Sequence, residues 1–413
     1  MLTTEENTRL TQTGPGTPMG ELFRRFWLPA LLSEEVAERD GQAVRFRLLS
    51  ERLVAFRDTE GRVGILDERC PHRHASLDWG RNEESGLRCA YHGWKFDVTG
   101  QCLDMPAEPD GSRMKDAVCA VSYDTHEVGG VVWVYMGPKD KKPPFPQYEY
   151  TTLPESHTVA HKRLQQCNWL QNVEGEIDTA HLNFLHRSFA DGNGVMPPSD
   201  LAKKRFFLAE TDFGFVAMAR SDEGDDQYYW RMTPFQLPSF TNIPSLPTSQ
   251  TLAVPIDDTS MYGFTIRWDP ENPMDSKWMM MDVDPDKDFL PLANMQNDYQ
   301  RDREMQLHGN FTGIKDIRTQ DMAVQEDQDG PICRREEEHL GTTDRAIVGA
   351  RRMLLKLSED LEKGIDPPQV NHPEAFCLRS VHVTAPRDAD PVQLWKQGQP
   401  EVAGDSLRVE TAI

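Results

Sequence analysis

A pairing of cysteine with histidine, written twice, constrains this chain more than any other feature. In CPHRHASLDWGRNEESGLRCAYHGWKF, Cys70 and His72 form a C-x-H unit, and Cys89 and His92 form a C-x-x-H unit after sixteen intervening residues. One thiolate and one imidazole can therefore converge from each of two loops. That donor set admits a tetrahedral zinc, or a [2Fe-2S] cluster with both sulfurs on one iron and both imidazoles on the other. Zinc fingers usually group Cys with Cys and His with His on a ββα unit. Here each loop holds one of each and is flanked by strand patterns with no helix, which favours the cluster. Gly80, Gly86 and Gly93 let such loops close tightly. The seven cysteines are odd in number and thinly spread over 413 residues, which argues against a disulfide framework.

Around these loops the pattern is β. From Ala43 to Met136, VRFRLL alternates, RLVAF and VGIL flank a turn at Asp58 to Gly61, WKFDVTGQCL repeats the arrangement, and VVWVYM reads as a buried strand. GPKDKKPPFP, from Gly137 to Pro146, combines charge with prolines and is the expected linker. Four regions are expected: a helical lead-in (1–42), an all-β cluster domain (43–140), a larger catalytic domain (147–365) and a C-terminal extension (366–413). The catalytic domain mixes strand signals with helices at 168–186 and Thr343 to Lys363, so the fold class is α+β, with an antiparallel sheet and flanking helices. The charge of −22 argues against nucleic acid or an anionic membrane as partner. No apolar stretch approaches the ~20 residues of a membrane helix, and the acidic, polar start MLTTEEN is unlike a secretory signal, so a cytoplasmic protein is expected.

A second constellation lies in NWLQNVEGEIDTAHLNFLH, which carries Asn168, Glu174, Asp178, His181 and His186. At about 100° per residue, Glu174, Asp178 and His181 share a helical face, while His186 falls about 140° further round. Both histidines can reach one ion only if the helix distorts or ends near Phe184. Two imidazoles plus one carboxylate, with open positions, is the ligand set of non-haem Fe(II) oxygen chemistry. The carboxylate must come from elsewhere, and RTQDMAVQEDQDGP supplies Asp321, with Asp316, Glu326 and Asp327 as competitors.

The β domain with its two loops resembles the Rieske proteins. The additional cysteines that brace respiratory Rieske loops are replaced here by Ala75 and Tyr91, so the likeness is to the oxygenase and ferredoxin branch. The segment from Asn168 to His186 resembles the iron-binding helix of Rieske non-haem iron oxygenase α subunits. GTPMGELFRRFWLPALLSEEV and GPICRREEEHLGTTDRAIVGARRMLL look like the phthalate dioxygenase group. The resemblance implies several things: Asp321 as the third iron ligand; Asp178 as a link to the Rieske histidine of an adjacent subunit; a homotrimer or dimer of trimers; and O₂ with a small aromatic compound as substrates. It also implies electrons from NADH, through a separate flavin and iron–sulfur reductase. No dinucleotide or flavin fingerprint occurs in this chain. An aromatic carboxylate, or a related sulfonate or aryl ether, is the expected substrate class, and an acidic protein needs local cations to hold an anion. Arg220 and Arg231, on expected strands, are candidates, against the plainer reading of each as a solvated surface residue. A Rieske-type electron carrier fused to a non-catalytic domain, or a zinc-binding interaction protein, would keep only part of this inventory.

Iron and acid-labile sulfide analysis separates these readings. The purified protein is expected to be brown and to give a Rieske-type EPR signal on reduction, and stoichiometric zinc in a colourless protein would refute the cluster.

Overall fold

The computed structural model describes residues 2–188, 204–275 and 281–400. Its first sheet has six antiparallel strands in the order Trp27–Leu32, Val131–Tyr135, Ser122–Val128, Val63–Asp67, Glu51–Arg57 and Val44–Leu48. The turn at Asp58 forms as its residues dictate: Asp58 Oδ1 accepts from the backbone N–H groups of Glu60 and Arg62, and Gly61 takes a left-handed φ of +89°. A smaller sheet, Arg81–Glu83, Gly86–Arg88, Lys95–Phe96 and Cys102–Asp104, carries the second Cys/His loop.

The lead-in differs from expectation. Helices form at Thr4–Thr11 and Pro18–Phe23, the first closed by a reciprocal Thr3–Glu6 capping box. Trp27–Leu32, however, is an edge strand of the six-stranded sheet rather than part of a helix. All six of its residues are buried, so the run carries no polar alternation, and periodicity alone cannot tell a buried strand from a buried helix.

The second sheet runs Thr158–Gln165, Met261–Trp268, Thr248–Pro255, Phe240–Thr241, Gln227–Gln236, Gly214–Glu223 and Arg205–Thr211, again antiparallel. Val381–Pro386 pairs with Gln227–Gln236, so the expected C-terminal extension contributes a strand to the catalytic domain's sheet. The helices Trp169–Ile177, Ile317–Glu326 and Arg345–Glu362 pack on this framework and on one another. An aromatic seam joins the two sheets. Trp133 meets Phe145 at 5.4 Å and stacks on Tyr148 at 5.5 Å, Tyr148 stacks on Tyr150 at 5.2 Å, and Tyr150 meets Trp268 edge-on at 5.2 Å. The proline-rich connection is thus pinned by Phe145. No helix among the described residues is long and apolar enough to cross a membrane.

Glu174, read from the sequence as sharing a face with His181, points into a buried ion cluster. Arg335 Nη2 lies 2.9 Å from its Oε2 and Arg351 Nε 2.6 Å from its Oε1, while Arg351 also grips Glu338. Burial alone would raise the Glu174 pKa, but the two guanidinium groups hold it below the usual carboxylate range. Glu174→Ala leaves the buried Arg335 without a carboxylate and Arg351 with Glu338 alone, and is expected to cost about 3–5 kcal/mol, measured by chemical denaturation at neutral pH. Because folding depresses this pKa, the wild-type advantage is present above the ordinary carboxylate pKa and should vanish as pH falls through the folded value. A destabilisation independent of pH would refute this origin.

Candidate metal centres

The two Cys/His loops are built on the same turn. Cys70 N–H donates to Ala75 O (2.8 Å), while Cys70 O accepts from His74 N–H (2.9 Å); Cys89 N–H donates to Trp94 O (2.8 Å), while Cys89 O accepts from Gly93 N–H (3.0 Å). The fifth residue is left-handed in both, with φ of +59° at His74 and +75° at Gly93. His74 therefore occupies the turn position that glycine fills in the other loop. The rings of His72 and His92 lie 4.4 Å apart between centroids, and His72 stacks on Trp94 at 4.3 Å with 9° between planes.

These residues fit a [2Fe-2S] cluster. His72 Nδ1 is buried with no hydrogen-bond partner, a costly state unless a metal takes its lone pair. Cys70 and Cys89 are both buried, and burial, together with the neighbouring Cys89 sulfur, pushes the Cys70 thiol up to about 12 against a backbone hydrogen bond at His72. Two buried thiols become thiolates most readily beside a cation.

The second centre forms where a helix stops. Asn168 caps Trp169–Ile177, accepting from Leu170 N–H and donating to the carbonyls of Thr11 and Asp258. The helix ends at Ile177 and Asp178 turns extended, seven residues before the end near Phe184 that the sequence offered as one way to bring the histidines together. Asp178 Oδ1 accepts from Ala180 N–H at 2.7 Å, and a short 3₁₀ turn, His181–Asn183, follows. That break removes the 140° offset. His181 Nε2 and His186 Nε2 lie 3.3 Å apart, at 3.6 and 3.1 Å from Asp321 Oδ1. One donor atom from each residue falls within 4.8 Å of the others.

Two of the three competing carboxylates are engaged elsewhere. Asp316 caps Ile317–Glu326 by accepting from Thr319, and Glu326 accepts from Tyr299 Oη and Gln166 N–H. Burial would raise Asp321, but the hydrogen bond and charges of the histidines with Arg318 hold it low. Burial would lower His181, yet the hydrogen bond to Asp178 and the charge of Asp321 raise it. Asp178 Oδ2 lies 3.5 Å from His181 Nδ1, so it backs the imidazole on the side away from Asp321.

The triad opens into a cavity of about 280 Å³, also lined by Arg231, Arg267, Arg318, Ser249 and the Ile243–Pro247 segment. Burial lowers the pKa of Arg231; burial and the neighbouring Arg318 bring Arg267 down to about 10. Arg318 is ion-paired to Glu176 and donates to Thr251. Arg220 is not among the residues lining the cavity. In register it pairs with Trp230, whereas Arg231 pairs with Ala219, so the two arginines stand on opposite faces of the sheet. Arg220 instead lies over the rings of Tyr228 (4.1 Å), Phe207 (5.5 Å) and Trp230 (5.7 Å). The sequence reading missed Arg267 and Arg318, because single arginines in strand and helix patterns carry no signal until register and crossing are known. A second cavity, about 640 Å³, lies against His181 and is walled by Phe184, Phe311, Val324 and Tyr299, with Asp298 and Asp327 among its lining residues.

Comparison with known proteins agrees with this layout. Residues 26–122 match the Rieske [2Fe-2S] domain, and residues 134–375 match the family described as LigXa C-terminal domain like. The phthalate 4,5-dioxygenase oxygenase subunit of Pseudomonas putida is 41% identical over 378 residues, 86% of each chain. The 3-chlorobenzoate-3,4-dioxygenase oxygenase subunit of Comamonas testosteroni is 38% identical over 422 residues, covering 94% of this chain and 97% of that one. Dicamba monooxygenase bound to dicamba shares the fold, with a TM-score of 0.59 at 20% identity over 83% of this chain and 99% of the other. With a Rieske domain joined to a LigXa-like domain and relatives aligned along nearly its whole length, the chain belongs to the phthalate dioxygenase-like group of Rieske non-haem iron oxygenase α subunits.

Proposed function

We propose that this chain is the terminal oxygenase of a multicomponent system that hydroxylates a small aromatic acid. The observation that carries the reading is the His181/His186/Asp321 triad opening into an arginine-lined cavity. An electron carrier with a non-catalytic second domain would need neither feature. Cys70 and Cys89 would hold one iron of the [2Fe-2S] cluster, His72 and His92 the other, and His181, His186 and Asp321 a mononuclear Fe(II). When bound, the cluster relays single electrons and the mononuclear iron supplies O₂ activation. The electrons come from NADH through a separate flavin and iron–sulfur reductase.

The chain's own residues do the rest. Arg231 stands inside the cavity, where low dielectric strengthens its attraction for a carboxylate or sulfonate. The Ile243–Pro247 wall supplies apolar contact for a ring and keeps water out. Product type, a cis-dihydrodiol or a hydroxylated or dealkylated arene, follows from how the ring is presented to the triad.

Assembly belongs to the same reading. Trp79 is 74% and Tyr91 55% exposed. Arg73 lies over the Tyr91 ring, Arg45 lies over Trp79, and Arg69 is exposed nearby. Exposed aromatic and arginine side chains of this kind suit a protein interface. The second cavity beside His181, walled by Phe184, Phe311 and Val324 and carrying Asp327, offers a complementary apolar surface. Head-to-tail contact between the two closes into a ring, a homotrimer or a dimer of trimers, with Asp178 between the triad and the partner's cluster.

Three outcomes check the proposal. NADH-dependent O₂ uptake with the matched reductase should appear with aromatic acids and not with their neutral amides; equal rates with both would refute the anion. Arg231→Gln should raise KM about ten- to a hundredfold with a smaller change in kcat. Asp178→Asn should retain both metals and the ring yet lose most O₂ uptake, and a fully active variant would show that electrons take another route.

A further inference from the structure

The two histidines of the triad are backed by different chemistry. Behind His181 stands the carboxylate of Asp178, 3.5 Å from Nδ1. Behind His186 stands a neutral amide, with Gln320 Oε1 2.7 Å from His186 Nδ1. Gln320 is 3% exposed, and its other amide atom is committed, since Nε2 donates to Ile314 O at 2.7 Å. A backbone carbonyl can only accept. The NH₂ of Gln320 must therefore face Ile314, and its carbonyl oxygen must face His186. That oxygen needs a hydrogen from the ring, so Nδ1 of His186 carries the proton and Nε2 presents its lone pair. Nε2 is the atom 3.1 Å from Asp321 Oδ1 and 3.3 Å from His181 Nε2.

We infer that Gln320 is a positioning residue for the mononuclear centre, fixing the tautomer and ring plane of His186 so that only Nε2 can meet a metal. The inference rests on the iron assignment made above. Gln320 immediately precedes Asp321, so one turn of the helix Ile317–Glu326 supplies both a candidate ligand and the group that aims another. The arrangement also makes the centre asymmetric. A neutral acceptor only orients the His186 ring, whereas the carboxylate behind His181 makes that ring the stronger donor. A metal held there sits between one ligand tuned by charge and one tuned by geometry.

Two substitutions separate the two hydrogen bonds of Gln320. Gln320→Glu keeps an oxygen for His186 Nδ1–H but loses the amide donor to Ile314 O. Gln320→Met has similar length and loses both. Fe(II) affinity, measured by chelator competition on cluster-loaded protein, should fall about ten- to a hundredfold in Gln320→Met and by less than threefold in Gln320→Glu. The EPR signal of the reduced cluster should be unchanged in each. Equal loss in both variants would assign Gln320 to the Ile314 tie alone and overturn the inference, as would wild-type affinity in both. Wild-type protein provides a check that needs no variant. With Co(II) in the mononuclear site, proton NMR should show a hyperfine-shifted, slowly exchanging Nδ1–H resonance from His186. Its absence would contradict the assigned tautomer. Failure of the wild type to bind Fe(II) or Co(II) at all would instead refute the iron assignment.

Discussion

Everything at the His181, His186 and Asp321 triad depends on how closely two helices approach. Trp169–Ile177 brings the chain to the histidines and Ile317–Glu326 brings Asp321, and their contact is made at Gly175, where any side chain would strike the Gln325 amide. The contact itself is polar and buried. Gln325 Oε1 accepts from Gln165 and Asn172, and Gln325 O accepts from Gln171. A buried amide network in low dielectric is directional in a way an apolar contact is not, so it sets the register of one helix on the other. The Glu174 ion cluster then ties the first helix to Arg351 on the long helix Arg345–Glu362 and to Arg335.

The parts of this protein legible in its sequence are those fixed by short spacing. Cys70, His72, Cys89 and His92 could be paired because each loop is one tight turn, and the fold needs only to bring two turns together. His181 and His186 were legible as a pair with a condition attached, since five residues on a continuous helix diverge. The structure meets that condition by ending the helix at Ile177, where the Asp178 side chain turns back to accept from Ala180 N–H. Asp321 was not separable from Asp316, Glu326 and Asp327 by residue chemistry. What distinguishes it is which positions along one helix face its neighbour, and the family likeness carried that choice.

Other features failed to show for physical reasons. Trp27–Leu32 is buried on both faces and so lacks the alternation that marks a strand. Val381–Pro386 sits in a charged tail and gains its partner, Gln227–Gln236, from far away in the chain. Arg220 and Arg231 look alike in sequence, and only the pairing of one with Trp230 and the other with Ala219 sends them to opposite faces. Arg267 and Arg318 join Arg231 from separate elements, a convergence no local pattern encodes.

The repeated turn of the two cysteine loops has a directional consequence. In each loop the cysteine comes first, where the backbone is tied down by its own N–H and C=O, and only 1% of Cys70 and 2% of Cys89 is exposed. The histidines come two and three residues later, on the outward arc, where both are partly accessible. Order along the chain is thereby converted into depth. A cluster held by these four groups would meet the thiolates at the buried end of the loops and the imidazoles at the rim. Charge entering or leaving would then meet a built-in polarity, with the outer imidazoles as the accessible edge and the buried thiolates as the insulated one.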